Sequence, residues 1–471
     1  MKYLTAEPFR IKVVEPIRVS TREQRERWIR EADFNVFRLQ ADRVYVDMLT
    51  DSGTSAMSAN QWAGMMVGDE SYAGCKSFYE LEKVIREIMG FPFVQPTHQG
   101  RAADFIMSQI YVRPGTYILG NMHFDSFRGH AEIKGATPVD LVVAAGKDTG
   151  RCDHPFKGNI DLENMASFIH EHGPDQIPLV IITVTCNNNG GQPVSMENIR
   201  KTAGLAHRHG IPVMIDAARF AENCYFIKQR EPGYADRSVR EIAREMFSHV
   251  DGCVMSAKKD GLVNIGGFFC TRSPEIHARA NQYAIINEGF ITYGGQSGRD
   301  MEALARGLEE VVEEDYLANR IGQVEYLGNR LDAVGVPVIR PFGGHGVYID
   351  SRRFCPHIPP REFPGQSIVV ELYKTAGVRS VELGSCAFAR KDEKTGASVF
   401  PELDLVRLAV SRRVYTNRHM DVVANAMADV YARRETLRGL IIIHEGPVFS
   451  LRHFTARFAM IGGDQVEYGT A

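Results

Sequence analysis

The chain has 471 residues, 44% of them apolar and 24% charged, with a formal net charge of −3. Those proportions are ordinary for a globular protein of about two to four domains, and the slightly acidic balance lacks the basic excess of a nucleic-acid binder. No apolar run reaches the roughly 18 residues of a membrane span, so neither nucleic acid nor membrane is an expected partner.

Met1 to Arg10 (MKYLTAEPFR) lacks the apolar core of a signal peptide, which predicts a cytoplasmic protein. The eight cysteines include no CxxC pair, which argues against a zinc or thioredoxin-type site and fits reduced thiols. Thr97-His98-Gln99-Gly100-Arg101 precedes a helical stretch from Ala102 to Gln109, and Phe124 falls near a strand end. Leu179 to Thr185 (LVIITVT) reads as a strand, followed by the turn-rich NNNGGQPVS. Ser195 can cap a helix running to about His209, where Gly210 ends it. Apolar runs at Pro212–Ile215, ending in Asp216, and at Gly252–Ser256, ending at a dilysine, complete a βαβ pattern. That pattern predicts an α/β fold with a mostly parallel sheet and helices on both faces. Ligands in such sheets sit at the C-terminal strand ends, which draws attention to Asn187, Asp216, Ser256 and Lys259.

From about Asp300 the grammar changes. Met301 to Leu331 reads as one long helical stretch, with strand-like runs at Val336–Ile339 and Gly346–Ile349. The strand LVRLAV from Leu405, a helix from Met420 to Arg433 and the segment LRHFTARF complete a smaller α+β region. The expected division is a large domain over 49–309 and a small one from 1–48, an N-terminal arm included, and 310–471. The last ten or so residues are expected to fray.

Asp216 and Lys259 carry the first chemical signal. A lysine kept partly deprotonated can form an imine with an aldehyde cofactor, and an aspartate can keep a pyridine nitrogen protonated. Pyridoxal phosphate needs both. The turn before the 102–109 helix offers free N–H groups to a phosphate, and Arg101 and the Ser256 hydroxyl could add donors. Phe124 could stack on a cofactor ring, Arg219 could reach a ring oxygen, and Arg412 could grip an amino-acid carboxylate. Core packing for Phe124, a surface salt bridge for Arg219 and solvated surface for Arg412 stay open as plainer readings.

LTDSGT (49–54), GDESYAG (68–74), PTHQGR (96–101), GGQPVS (190–195), DAARFAEN (216–223), SAKKD (256–260), YGG (293–295) and LRHFTARF (451–458) form an ordered set. With that set the chain resembles the β-eliminating lyases, the family of tryptophanase and tyrosine phenol-lyase, from about Glu7 to Phe458. The resemblance implies the fold-type I, aspartate-aminotransferase-like architecture, pyridoxal phosphate, and a homotetramer whose active sites are shared across a dimer interface. It implies Lys259 as the cofactor-bearing lysine, with Lys258 as accessory. Gln99, Gly100, Arg101 and Ser256 become the phosphate cradle, Phe124 the stacking ring, Asp216 the pyridinium partner and Arg219 the ring-oxygen contact. Asn187, Arg412 and Thr50 become cofactor and substrate-carboxylate contacts. Phe290, Tyr293 and His345 are assigned to the substrate pocket, and Tyr72 to the proton donor that enters from a neighbouring subunit. A monovalent cation, K⁺ or NH₄⁺, is implied at Glu70, Gly53 and Asn264.

Within the family, Asp125, Leu383 and His453 side with the tryptophan-cleaving branch, and Val381 belongs to the same wall. A phenol site wants a cation near the oxygen, whereas an indole site wants an acceptor for N–H and otherwise apolar walls. The implied reaction is α,β-elimination of L-tryptophan to indole, pyruvate and ammonia. Asn188, Asn189, Ile291 and Ser411 depart from the family pattern and bear on the substrate more than on the chemistry. Tyrosine, another β-substituted amino acid or, more remotely, amino transfer remain alternatives.

Overall fold

The structure is a computed structural model that describes residues 6–150, 152–392 and 395–462. The expected fraying of the C-terminal tail falls on residues outside that set.

Seven strands form the main sheet: β1 (Phe93–Thr97), β2 (Tyr117–Gly120), β3 (Thr137–Asp140), β4 (Leu179–Thr183), β5 (Val213–Asp216), β6 (Gly252–Ser256) and β7 (Gly267–Thr271). Their order is β1-β7-β6-β5-β4-β2-β3, with β7 antiparallel to both neighbours and every other pairing parallel. β4 and β6 read as unbroken apolar runs because helices cover both faces of the sheet. One face packs α1 (Lys76–Met89); the other packs α2 (Gly100–Tyr111) and α3 (Asp125–Ile133).

Between the strands, α4 (Met196–Arg208) begins where expected. Its N-cap Ser195 Oγ accepts the Asn198 N–H at 3.1 Å, and Gly210 follows its end with φ +71°. α5 (Phe220–Arg230) follows β5 directly. The single helix expected over 301–331 is two: α6 (Gly298–Val311) and α7 (Glu314–Ala333), separated by Val312 and an extended Glu313. The break keeps α6 on α1 while α7 turns to pack on α5 and on α8 (Asn417–Ala432).

A second core joins residues 28–48 to residues 324–458. Its antiparallel sheet runs β9-β10-β8, where β8 is Gly346–Asp350, β9 is Val381–Leu383 and β10 is Leu405–Ala409. The strand expected at Val336–Ile339 is reduced to a lone bridge between Val338 and Ile349. LRHFTARF folds as a short helix, α9 (Arg452–Thr455), leading into a strand over Arg457–Met460. Among the described residues, no helix is long and apolar enough to cross a membrane.

Candidate active site

A cavity of about 400 Å³ opens where β4, β5 and β6 end. Asp216 closes β5, Ser256 closes β6, and Lys259 sits in the turn just beyond. Lys259 is buried, with its Nζ 5.6 Å from the centre of the Phe124 ring. Burial pulls its ammonium down to about 8, helped by Arg219 and opposed by Asp51, Asp216 and Asp104. Burial also raises the Asp216 carboxyl; Lys259 and the Ala218 N–H, at 3.1 Å, oppose that shift. Arg219 lines the cavity, while its Nε and Nη2 donate to both oxygens of Asp51 at 3.0 and 2.7 Å.

Gln99, Gly100 and Arg101 lie at the start of α2 and line the cavity beside Ser256. A Cβ on Gly100 would stand 2.4 Å from the Ser256 Cβ, so only glycine lets the helix end approach β6 this closely. The helix therefore begins at Gly100, two residues ahead of the expected start. A helix end with free N–H groups favours an anion. Thr50 and Lys258 complete the lining on this side; burial and then Arg101 lower the Lys258 ammonium.

Sequence reasoning missed Asp104, one turn along α2 from Arg101. It lines the cavity, accepts from Ser126 Oγ at 2.5 Å, and is raised to about 7 by burial and then by Asp216. The signal was available: an aspartate among small residues on the face that carries Arg101.

Three consecutive asparagines form a turn after β4, each with its own address. Asn187 Oδ1 accepts from Arg407 Nη1 at 3.0 Å and Tyr348 Oη at 3.1 Å, with His345 Nε2 also at 3.1 Å. Its Nδ2 donates to Asn188 Oδ1 at 2.8 Å, and Asn188 Nδ2 donates to the His123 carbonyl at 2.9 Å. Asn189 Nδ2 donates to the Lys157 carbonyl at 2.9 Å. His345 thus stands behind Asn187, fully buried, its pKa held well below the usual range by burial and then Arg219.

Arg412 corrects an expectation. Its guanidinium is fully buried and spent on Asp51 (2.9 Å), Glu222 (2.8 Å) and Asp260 (3.0 Å), outside the cavity lining. The arginine that reaches the cavity is Arg407, on β10, beside Asn187. Val381 and Leu383, two apart on β9 and so on one face, form the opposite wall with Asp125 and His453.

Asp125 opens onto the cleft yet has protein on most sides. The poor solvation raises its carboxyl, against Arg407, Arg128 and Arg101, and the hydrogen bond it accepts comes from its own backbone N–H. Burial, then Arg101 and Arg452, pushes the His453 imidazole down to about 4, so it is neutral at pH 7. Its Nδ1 is buried without a hydrogen-bond partner. Asp125 and His453 also line a wider outer cleft of about 850 Å³.

Other expected site residues lie apart. Tyr72 is 68% exposed and stacks on Phe290 at 5.5 Å and against Tyr293 at 5.2 Å; none of the three lines the cavity. Asn264 Nδ2 donates to the Gly53 carbonyl at 3.0 Å, but Glu70 accepts from the N–H groups of Gly298 (2.8 Å) and Arg299 (3.2 Å) at the start of α6. The three expected cation residues are therefore not gathered within one chain. The described residues hold no cluster of three His, Cys, Asp or Glu side chains able to bind a metal.

A family model described as beta-eliminating lyase matches residues 47–426. A tyrosine phenol-lyase of Symbiobacterium sp. (strain SC-1) is 51% identical over 97% of this chain and 99% of its own. A tryptophanase of Salinibacter ruber is 50% identical over 98% and 97%. A probable beta-eliminating lyase of Trichomonas vaginalis is 52% identical over 96% and 98%. Among solved structures, Sphingomonas wittichii serine palmitoyltransferase aligns with TM-score 0.57 at 12% identity, over 83% of this chain and 88% of that one. That likeness establishes the fold-type I architecture.

Proposed function

Because the chain belongs to the β-eliminating lyase family, we propose that it cleaves L-tryptophan to indole, pyruvate and ammonia, using pyridoxal phosphate bound in the cavity beyond β4, β5 and β6. The residues present fit that cofactor. The α2 N-terminus with Gln99, Gly100, Arg101 and Ser256 suits a phosphate, Phe124 offers a ring face, and Arg219 lines the same space. Lys259 has the depressed pKa that an aldehyde-binding amine requires.

Pyridoxal phosphate supplies an electron sink that acidifies the substrate Cα proton. Lys259 Nζ, partly neutral near pH 8, takes that proton. Asp216 holds positive charge at the far end of the site. Arg407 and Asn187 hold the substrate carboxylate, the role expected of Arg412. Tyr72, exposed on this chain, gives its phenolic proton to the leaving carbon in the site of a second copy. One water is consumed as the three-carbon remnant becomes pyruvate and ammonia.

The ring end of the cavity carries the choice of substrate. A neutral imidazole with an unpartnered Nδ1 and a carboxyl without a side-chain donor offer two acceptors beside Leu383 and Val381. Indole presents one N–H donor and an apolar body, which suits that wall; a phenol oxygen would find no cation at Leu383. Tyrosine is the alternative aromatic substrate, since relatives bearing either name are equally similar.

K⁺ or NH₄⁺ is the proposed activator, with Glu70 of one copy meeting Gly53 and Asn264 of another, in a cytoplasmic tetramer. Incubation with pyridoxal phosphate and K⁺, comparing pyruvate release from tryptophan, tyrosine, cysteine and serine without any keto-acid acceptor, tests the proposal. Faster phenol than indole release would overturn the substrate, and a requirement for a keto acid would overturn elimination.

A further inference from the structure

Leu383 and His453 are remote in sequence and belong to different elements, yet both line the aromatic end of the cavity. The turn Gly384–Ala387 lies between them. Glu382, whose neighbours Val381 and Leu383 face the cavity, points the other way and is buried. Its two oxygens accept the Cys386 and Ala387 N–H groups at 2.8 and 3.0 Å. Arg452, next to His453, donates from Nε to the Cys386 carbonyl at 2.9 Å and from Nη2 to the Ser385 carbonyl. The same guanidinium, buried, stacks over Phe449 at 4.3 Å and Phe363 at 5.6 Å. Asp404 closes the remaining side of the turn. It accepts the Ser385 hydroxyl, and a Cβ on Gly384 would stand 2.1 Å from its Oδ1.

We infer that Glu382 and Arg452 are positioning residues for leaving-group selectivity: gripping one turn from its N–H side and its C=O side, they fix the spacing between Leu383 and His453. The grip uses paired hydrogen bonds in a buried setting, where geometry is held most rigidly; those of the Arg452 guanidinium are charge-assisted, while burial and then Asp404 push the Glu382 carboxyl up to about 8. A lysine at 452 keeps the charge but loses the planar fork. A glutamine at 382 keeps the shape but sets an amide NH₂ against one of the two N–H donors. Neither residue lines the cavity, so the effect reaches substrate through the neighbours that do, Val381, Leu383 and His453.

The inference rests on the proposed lyase site but not on the choice between indole and phenol, because either ring would occupy that end. The test uses Arg452→Lys and Glu382→Gln in the holoenzyme, with kcat and KM for the faster of tryptophan and tyrosine and for S-methylcysteine, which has no ring. Equilibrium dialysis of L-phenylalanine and L-alanine against the holoenzyme adds a binding readout independent of turnover. The expected result is a fall of about 10-fold or more in kcat/KM for the aromatic substrate, mostly through KM, with S-methylcysteine within about 2-fold. L-phenylalanine should bind more weakly while L-alanine does not. Equal losses on both substrates, or a lowered unfolding temperature with no change in the aromatic preference, would make the pair a support of the fold and overturn the inference. No activity of the unmutated enzyme on any of the three would instead sink the proposed function, and the ratio of phenylalanine to alanine affinities would then decide the clamp alone.

Discussion

Two polar regions flank the cavity, one buried and one opening onto the cleft, and they are built on opposite rules. Around Arg412, three arginines (219, 320 and 412) face three carboxylates (Asp51, Glu222 and Asp260). Arg412 alone reaches all three acids, and Arg320 Nε donates to Glu222 at 3.0 Å. Around His453, the imidazole Nδ1 lacks a partner and the Asp125 carboxyl lacks a side-chain donor. Buried charges paired with opposite charges hold a fold together; polar groups left without a side-chain partner on a cleft wall are where a ligand is expected to complete the set. Arg412 and Arg407 stand five residues apart, yet one belongs to the first kind of region and the other to the cavity.

Lys259 lies between the two regions, and its replacement should have the largest effect. Lys259→Met is expected to cut pyruvate release by at least about 10³-fold, since loss of a general base alone typically costs about 10²–10⁴-fold. Retention of a tenth of the wild-type rate would remove it from the chemistry. Arg412→Met should instead register as stability. It leaves buried carboxylates unpaired, at a cost of about 3–5 kcal/mol, read as a lowered denaturant midpoint. Arg407→Met should leave that midpoint nearly unchanged and raise KM; the reverse pattern would exchange their roles. Asp125→Ala should slow tryptophan cleavage by at least about 10²-fold while sparing S-alkyl cysteines, whose leaving group needs no ring protonation. Equal losses on both would move Asp125 from the ring end to the fold.

The smallest effect is a pH slope. His453 is held down to about 4 in the folded chain and returns toward its ordinary value when unfolded. Between those values the unfolded state binds the extra proton, so this residue's contribution is intact above about pH 6.5 and is lost as pH falls toward 4. His453→Phe should therefore flatten the acid limb of a plot of unfolding temperature against pH. An unchanged slope would mean that the imidazole is better solvated than its surroundings imply.

Much of this was legible in the residues because strand ends advertise themselves. Apolar runs closing on Asp216 and on Ser256 located two strands and the cavity between them. The break between α6 and α7 was not legible, since Val312 and Glu313 carry no glycine or proline and Glu313 caps without a side-chain bond. The arginine at the cavity wall was passed over for a different reason. A dibasic pair draws the eye, whereas Arg407 hides in LVRLA, where a lone charge on a fully buried strand was the better clue. Tyr72 and Glu70 mark a further limit, because one chain folds without saying what a second copy will bring to it.

The asparagine turn has a bearing on how the protein ages. Asn189 followed by Gly190 is the kind of pair in which a side-chain amide is readily lost to attack by the next backbone nitrogen, one reason asparagine is counted a thermolabile residue. Here that nitrogen is occupied, its N–H donating to the Asn187 carbonyl at 3.3 Å, and the Asn189 amide is fully buried on the Lys157 carbonyl. Damage at this pair therefore requires the turn to open, and the turn carries Asn187 at the cavity wall. Slow accumulation of aspartate or isoaspartate at 189 would act as a clock for how often this wall of the site comes apart.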